Sequence, residues 1–367
     1  MHEPGNPGLR TSVIVLGAGV SGLSAALALL KRGHGVTLLE RGDVGAESSW
    51  AGGGILSPLL PWDYTEALST LALRSMAGYA DWVADIEAYC GRSAEYWCCG
   101  MQVSSEPRID EALAWCETHD LTAQRQFTQA GESLWLPDIA QVRNPRLVAA
   151  LREAVIRLGG IIHVHSAVET VTIRAKHMVA VHTAQDTYTA DRFVVATGAW
   201  SGIALPNLTG VPNIRPIRGQ MLLFKQEPGM LDTILYRKGL YLIPRRDGHV
   251  LAGSTLEDAG FDKTTDAPTR QRLHVEAAEL LPSLEELQPI RHWAGLRPGS
   301  PDNLPVIDRH PDFDNVFVNV GHYRYGVTLA PASAELLTDL MEDTMPAVDP
   351  APYRWEAARE RGWTDAL

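Results

Sequence analysis

The patterns of hydrophobic residues at the start of the chain predict a strand, a helix and a second strand in turn. Residues 13–16 (VIVL) form a short β-branched apolar run, typical of a strand that is buried on both faces. Residues 22–31 (GLSAALALLK) predict a helix, and residues 36–40 (VTLLE) predict a second strand. A strand–helix–strand order of this kind predicts a parallel sheet with right-handed crossovers.

The rest of the chain divides into stretches of different periodicity. Residues 63–91 have the spacing of a helix, whereas residues 92–143 give a mixed, loop-rich signal. Asn144 is a plausible N-cap for a helix over 145–158, with Pro145 in its first position. The further predicted elements are strands at 161–165, 193–196, 221–224, 240–244, 250–253 and 316–320, a small antiparallel meander over 168–190, and helices near 269–281 and 331–341.

The length of the chain argues for two lobes, because 367 residues exceed the size at which a single core usually stops growing. We predict an α/β fold with a Rossmann-type dinucleotide-binding lobe and a smaller α+β lobe, both discontinuous in sequence. The first lobe is predicted over 11–84, 144–214 and 296–345, and the second over 85–143 and 215–295.

Charge and cysteine usage narrow the possible partners. The formal net charge is −12, which disfavours nucleic acid or an anionic membrane surface as the main partner. The 4 cysteines cluster between positions 90 and 116 without metal-site spacing, as expected of free thiols in a reducing cytoplasm. The uncharged stretch 11–30 has the length of a membrane span, but its regularly spaced glycines favour a strand, a turn and a helix. We therefore expect a cytoplasmic protein without a bound metal. We also expect a homo-oligomer.

Three glycines carry the first chemical signal. Gly17, Gly19 and Gly22 follow the first strand and open the helix, and Glu40 closes the next strand. In a dinucleotide site these glycines permit a tight turn, close approach of a pyrophosphate and close helix–sheet packing, while the acid accepts hydrogen bonds from a ribose. The alternative is that the glycines simply mark a turn.

Two further segments favour a flavin over a nicotinamide cofactor. Residues 48–58 (SSWAGGGILSP) are rich in glycine and follow the second strand, and a later strand ends in a second glycine turn at Gly198. Both segments would bring backbone close to a bulky ligand. The alternative for residues 48–58 is a plain surface loop.

The chain resembles the D-amino acid oxidase superfamily, and within it most closely the glycine oxidases of thiamine biosynthesis. The resemblance covers nearly the whole chain, and its C-terminal motifs are the most specific. It rests on VIVLGAGVSGLSAALALLKRGHGVTLLE at 13–40, SSWAGGGILSP at 48–58, VVATGAWS at 194–201, YLIPR at 241–245, WAGLRPGSPDNLPVID at 293–308 and GHYRYGVTLAP at 321–331.

The resemblance implies non-covalently bound FAD, because covalent flavin in this superfamily uses a cysteine near the C-terminal site and this chain has none there. Val168 matches the residue whose backbone holds the adenine, and the loop His322–Thr328 matches the one that wraps the flavin ring. The predicted cofactor-binding residues are Gly17, Gly19, Val20, Ser21, Gly22, Glu40, Arg41, Ser48, Ser49, Gly53, Gly54, Ile55, Val168, Gly198, His322, Tyr323, Tyr325, Gly326, Val327 and Thr328.

Three residues are predicted to bind substrate. By resemblance, Arg297 and Arg324 match the active-site arginines and Tyr241 matches a tyrosine that hydrogen-bonds the substrate. A guanidinium can fix a substrate carboxylate with two parallel hydrogen bonds. The alternatives are a surface arginine in a turn for Arg297, a structural ion pair for Arg324 and a half-buried strand tyrosine for Tyr241.

The resemblance implies oxidative deamination of glycine, and of sarcosine or small D-amino acids, with oxygen as acceptor and hydrogen peroxide as product. The imine would serve the thiazole of thiamine. Hydride transfer to FAD requires no acid–base side chain, so no catalytic residue is predicted. Many glycine oxidases have asparagine where this chain has Tyr325, which bears on specificity. The alternatives are a D-amino acid dehydrogenase that reduces a quinone and a non-catalytic flavin-holding subunit.

Overall fold

A computed structural model describes residues 11–58, 60–128, 131–203 and 205–363. Strands and helices alternate in the N-terminal part, and strands dominate the middle. The helices are α1 Val20–Lys31, α2 Ser48–Ala51, α3 Glu66–Cys90, α4 Ile109–Thr118, α5 Asn144–Arg157, α6 Ala267–Leu280, α7 Ala330–Met341 and α8 Trp355–Glu360. The strands are β1 Ser12–Leu16, β2 Gly35–Leu39, β3 Trp97–Cys98, β4 Met101–Ser104, β5 Gln124–Thr128, β6 Gly131–Leu136, β7 Ala140–Gln141, β8 Ile161–His163, β9 Val168–Arg174, β10 His177–Thr183, β11 Thr187–Tyr188, β12 Arg192–Val195, β13 Arg215–Lys225, β14 Ile234–Arg237, β15 Leu240–Pro244, β16 His249–Gly253, β17 Arg291–Gly299, β18 Val306–Arg309 and β19 Val316–Val320.

The first sheet has six strands in the order β18-β19-β12-β1-β2-β8, all parallel except β18. Strand β1 is buried on both faces, as its composition predicts. Val13 and Val15 join the core under helices α1, α3, α5 and α7. Ile14 and Leu16 join a second core beneath the three-stranded meander β9–β11. The predicted α/β class is confirmed.

The second sheet has eight strands in the order β17-β13-β16-β15-β14-β4-β6-β5. Its two longest strands, β13 and the edge strand β17, pair antiparallel, and among the described strands of this sheet only β14 and β4 pair parallel. Helix α6 packs near one end of this sheet, with Leu273 and Ala277 in the core beneath it. The two-lobe boundaries stay a prediction, although β17 continues in this sheet across the boundary predicted at 295/296.

Several sequence predictions need correction. Helix α5 begins at Asn144, and its N-cap is Arg143 without a side-chain capping bond. The amide of Asn144 lies instead against the Gly54 backbone, where a Cβ would stand 2.5 Å from Asn144 Oδ1. Strands β14 and β17 were not predicted. Strand β14 has only 4 residues, and glycine and proline interrupt the alternation of β17. The loop-rich stretch 92–143 also contains α4 and strands β4 to β6.

The uncharged stretch 11–30 divides into β1, the glycine turn and most of α1, as predicted. Within the described residues, no helix is both long enough and apolar enough to cross a membrane.

Candidate active site

A cavity of about 1,160 Å³ opens between the two sheets. Pockets for drug-sized ligands usually measure about 300–1,000 Å³, so this one can take a larger molecule. One wall is formed where the parallel strands β1, β2, β12 and β19 end, which is where ligands bind in open α/β sheets. The opposite wall comes from the second sheet. Of the predicted cofactor-binding residues, all but Gly22 line the cavity.

The glycine turn after β1 is required by packing. Gly17 has φ +102°, and a Cβ there would lie 2.5 Å from the carbonyl oxygen of Ala196. Gly22 lies behind the turn, where a Cβ would stand 2.0 Å from the oxygen of Gly17. Gly22 therefore brings helix α1 against the turn, while Gly19 at the N-terminus of α1 faces the cavity. The glycines do more than mark a turn.

Glu40 has a structural role that the sequence did not indicate. Its Oε2 accepts a hydrogen bond from the Ala18 backbone at 2.8 Å, and its Oε1 accepts one from the Gly42 backbone at 2.9 Å. The carboxylate thereby ties the glycine turn to the loop after β2. It also lines the cavity, where its remaining lone pairs can accept from a ribose.

The segment after β2 forms a wall of the cavity rather than a surface loop. Ser49 Oγ accepts a hydrogen bond from the Val20 backbone at 2.8 Å and so fixes α2 to the start of α1. Gly54 has φ +81°, and a Cβ there would lie 2.1 Å from the oxygen of Val142. Thr328 Oγ1 donates to the Ile55 carbonyl at 3.0 Å, which joins this segment to the C-terminal loop.

The other cofactor residues lie at the two ends of the cavity. Arg41 stacks over the Trp200 ring with its Cζ 3.4 Å from the centroid, near Gly198 and Val168. In the C-terminal loop, His322 Nδ1 lies 3.3 Å from Ser21 Oγ. Burial lowers the pKa of His322 to about 4, so its imidazole is neutral at physiological pH.

Arg297 lies in strand β17, not in a surface turn, and its guanidinium is held from two sides. Nη1 donates to the Thr255 carbonyl at 3.1 Å, and Nη2 donates to Ser254 Oγ at 2.6 Å. The guanidinium packs against Gly219, where a Cβ would lie 2.1 Å from Nη1. No carboxylate of the described residues lies within 4.0 Å of this guanidinium, which lines the cavity.

Arg324 and Tyr241 line the same cavity. Arg324 has no acidic partner within 4.0 Å in the described part of the chain, so an ion pair does not account for it. Tyr241 is buried on β15, close to Gly53. The hydroxyl of Tyr325 bonds that of Tyr64, and the two rings meet edge to face at 5.3 Å. Burial raises the pKa of Tyr64, while the charge of Arg324 acts in the opposite direction.

Sequence reasoning missed several residues of the cavity. Ser254 and Thr255 hold Arg297, and Tyr64 and Tyr236 complete the wall around Arg324. Asn144 was recognised only as a helix cap. The one available signal was its position beside Pro145 at a helix start, and that signal favours a cap.

The site fits a dinucleotide. The glycine turn brings backbone and the N-terminus of α1 to the cavity wall. The lining also contains buried polar groups without a protein partner in the described residues: both amide atoms of Asn144 and Asn319, and Nε2 of His322. A cavity of this size lies at the carboxyl ends of parallel strands, and the guanidinium groups of Arg297 and Arg324 line it without a carboxylate partner in the described residues. This arrangement fits an oxidoreductase that binds a dinucleotide cofactor.

The chain belongs to the family of FAD dependent oxidoreductases (DAO), whose sequence profile matches residues 12–340. It is 41% identical to glycine oxidase of Pseudomonas aeruginosa over 93% of this chain and 97% of that protein. It is 32% identical to the bifunctional protein ThiO/ThiG of Synechocystis over 91% of this chain and 52% of that protein.

The fold is also that of solved relatives. The crystal structure of glycine oxidase from Geobacillus kaustophilus matches with a TM-score of 0.88 and 26% identity, covering 94% of this chain and 98% of that one. These comparisons confirm the prediction of FAD, and the described cavity lining contains no cysteine, which agrees with a non-covalent cofactor.

Proposed function

We propose that the chain is an FAD-dependent oxidase that deaminates glycine, and also sarcosine or small D-amino acids, to the imine and then the 2-oxo acid. Oxygen is the acceptor and hydrogen peroxide the second product. The glycine imine would supply the thiazole of thiamine. The observation that carries the proposal is Arg297, a guanidinium that faces the cofactor cavity without a carboxylate partner in the described residues.

Arg297 binds the substrate carboxylate in this proposal. Two of its N–H groups are committed to Ser254 and Thr255, and three of the five donors of a guanidinium remain for substrate. A substrate as small as glycine has few atoms for apolar contact, so its ionic ends must supply most of the binding energy. Tyr241 hydrogen-bonds the substrate, and Arg324 adds positive charge beside Tyr64 and Tyr325.

The cofactor-binding residues act by position. Helix α1 would present its N-terminus to the pyrophosphate, Glu40 would accept hydrogen bonds from the ribose, and residues 322–328 would enclose the ring. The chemistry that FAD supplies is removal of a hydride from the substrate Cα, followed by reoxidation with oxygen. The protein orients the Cα and favours the neutral amine, and no side chain is assigned as acid or base.

The proposal extends to the cellular setting, the oligomeric state and the division into domains. We place the chain in the cytoplasm as a homo-oligomer, with residues 11–84, 144–214 and 296–345 as the FAD domain and residues 85–143 and 215–295 as the substrate domain. All four cysteines are free thiols, which supports a reducing compartment. Light scattering of the purified protein tests the oligomeric state.

The deciding experiment mixes purified protein anaerobically with glycine, sarcosine and D-alanine and follows the flavin absorbance. Bleaching by glycine, and rapid recovery when oxygen is admitted, is the expected result. Bleaching without recovery would indicate a dehydrogenase that passes electrons to a quinone. Absence of bleaching by all three amines would contradict the proposal and favour a flavin-holding subunit.

A further inference from the structure

Arg245 is a buried cation to which the proposed reaction gives no role. It ends the YLIPR run after β15 and is 5% exposed. Its guanidinium donates to the Gly53 carbonyl at 2.8 Å, to the Val142 carbonyl at 3.0 Å and to the side-chain oxygen of Gln141. All three acceptors are neutral.

Arg245 has no counter-ion in direct contact. Within the described residues, no carboxylate lies within 4.0 Å of it; the nearby acids Glu95 and Asp247 pair instead with Arg143. Burial, with repulsion from Arg143, lowers the pKa of Arg245 to about 10, so the group remains charged at neutral pH. A buried charge without a counter-ion is costly, and an apolar side chain of similar volume would often be tolerated in its place. A negative charge placed in the neighbouring cavity would offset this cost.

The location of Arg245 indicates where that negative charge lies. Gly53, which it contacts through the carbonyl, lines the cofactor cavity. A Cβ on Gly53 would stand 3.4 Å from the Tyr241 ring, so Arg245 lies behind the wall at the substrate end of the cavity. The flavin gains two electrons on reduction. When one proton accompanies them, the reduced flavin carries one additional negative charge. A flavin ring bound beside Gly53 would bring this charge towards Arg245.

We propose that Arg245 is a residue that tunes the cofactor: its charge acts through the Gly53 wall and favours the reduced over the oxidised flavin. The guanidinium holds the Gly53 carbonyl, and its charge would attract the negative charge of the reduced ring. Protein charges near a flavin are among the groups that set its electronics. The proposal rests on membership of the FAD family and not on the identity of the amine substrate.

The test separates charge from structure. Gln141→Glu places a carboxylate beside Arg245 and balances its charge while the hydrogen bonds to Gly53 and Val142 remain. Arg245→Lys keeps the charge but loses the planar fork, and Arg245→Met removes both. Gln126→Glu, on β5 and outside the cavity lining, adds the same negative charge elsewhere.

The measurements are the flavin midpoint potential, by equilibration with a redox dye, and the dissociation constant of oxidised FAD. For a unit charge about 10 Å away at an effective dielectric constant of ~20, Gln141→Glu and Arg245→Met should weaken the reduced form about tenfold relative to the oxidised form. Arg245→Lys and Gln126→Glu should keep the wild-type potential. If Arg245→Met fails to fold, Gln141→Glu alone decides the matter.

An unchanged potential in Gln141→Glu would overturn the proposal and leave Arg245 as a structural clamp. A loss of oxidised-FAD affinity with the same potential in all variants would lead to that conclusion too. Because no amino acid is present in these titrations, their outcome does not depend on whether glycine is the substrate.

Discussion

Replacement of Arg297 by lysine tests the proposed carboxylate anchor most directly. Nη1 of the guanidinium donates a hydrogen bond to the Thr255 carbonyl and Nη2 donates one to Ser254 Oγ. The remaining N–H groups can bind substrate. A lysine ammonium has three donors at a single point. The Thr255 and Ser254 oxygens compete for these donors, so the charge survives while the paired geometry is lost.

The expected loss follows from the value of a buried charge-paired contact. Disruption of one typically costs about 2–5 kcal/mol, which predicts kcat/KM on glycine lower by roughly 30- to 5,000-fold. FAD should stay bound, because Arg297 is attached to the substrate-side sheet. Arg324→Lys should cause a smaller loss, because Arg324 belongs to the loop 322–328 that would enclose the flavin ring.

The assay is steady-state oxidation of glycine with flavin content checked by absorbance. Arg237→Lys is the matched control, because Arg237 also lines the cavity but is paired with Glu279 on the surface. Exposed pairs contribute only about 0–1 kcal/mol, so this control should retain most activity. Near-normal kcat/KM in Arg297→Lys would refute the anchor and the substrate orientation derived from it.

Three further predictions concern the cofactor, the packing around the anchor and the pH dependence of stability. Glu40→Gln should weaken FAD binding about tenfold or more, since charge-assisted hydrogen bonds contribute roughly 1.5–3 kcal/mol. The dissociation constant of FAD can be measured by flavin fluorescence. An unchanged value would mean that Glu40 only holds the turn at Ala18. Gly219→Ala should lower kcat/KM with FAD retained and little change in Tm, because its Cβ would displace the flexible end of Arg297. Burial lowers the pKa of His322 to about 4, below the unfolded value near 6.5. The contribution of His322 to the free energy of unfolding should therefore be constant above pH ~6.5 and fall by at most about 1.4 kcal/mol per pH unit towards pH 4. Urea unfolding of His322→Gln should lack this contribution, and the same pH slope in both proteins would contradict the prediction.

The dinucleotide-binding unit could be predicted because its signals are local. The β-branched run of β1, the glycine turn and α1 follow one another within residues 12–31. Each step of this sequence favours the same structure. Strand β17 was not predictable in this way, since Gly295, Pro298 and Gly299 interrupt its pattern. It is a strand because β13 pairs with it from Leu223↔Arg291 to Arg215↔Gly299, a long-range contact that no local window contains.

In the candidate site, too, residues in local motifs could be predicted, whereas residues brought in by long-range contacts could not. Arg297 could be nominated from its motif, but Ser254 and Thr255, which hold it, come from the connection after β16. Only the folded chain brings them together. Asn144 illustrates the opposite error, because its residue type and its neighbour Pro145 favour a helix cap. Packing against Gly54 directs its amide to the cavity wall instead.

The register of β13 and β17 explains why the anchor can lie flat against the second sheet. Gly219 faces Gly295, and Ile217 faces Arg297, so the row beside the arginine has no side chain on either strand. The guanidinium occupies the space above Gly219, while Ala51 of α2 fills the space above Gly295 at a virtual Cβ distance of 2.5 Å. A slip of one residue would turn Arg297 to the opposite face, away from the cavity. The two glycines thus bring the cofactor-side helix α2 and the substrate-binding arginine onto one face of one strand pair, and this arrangement fixes the distance between them.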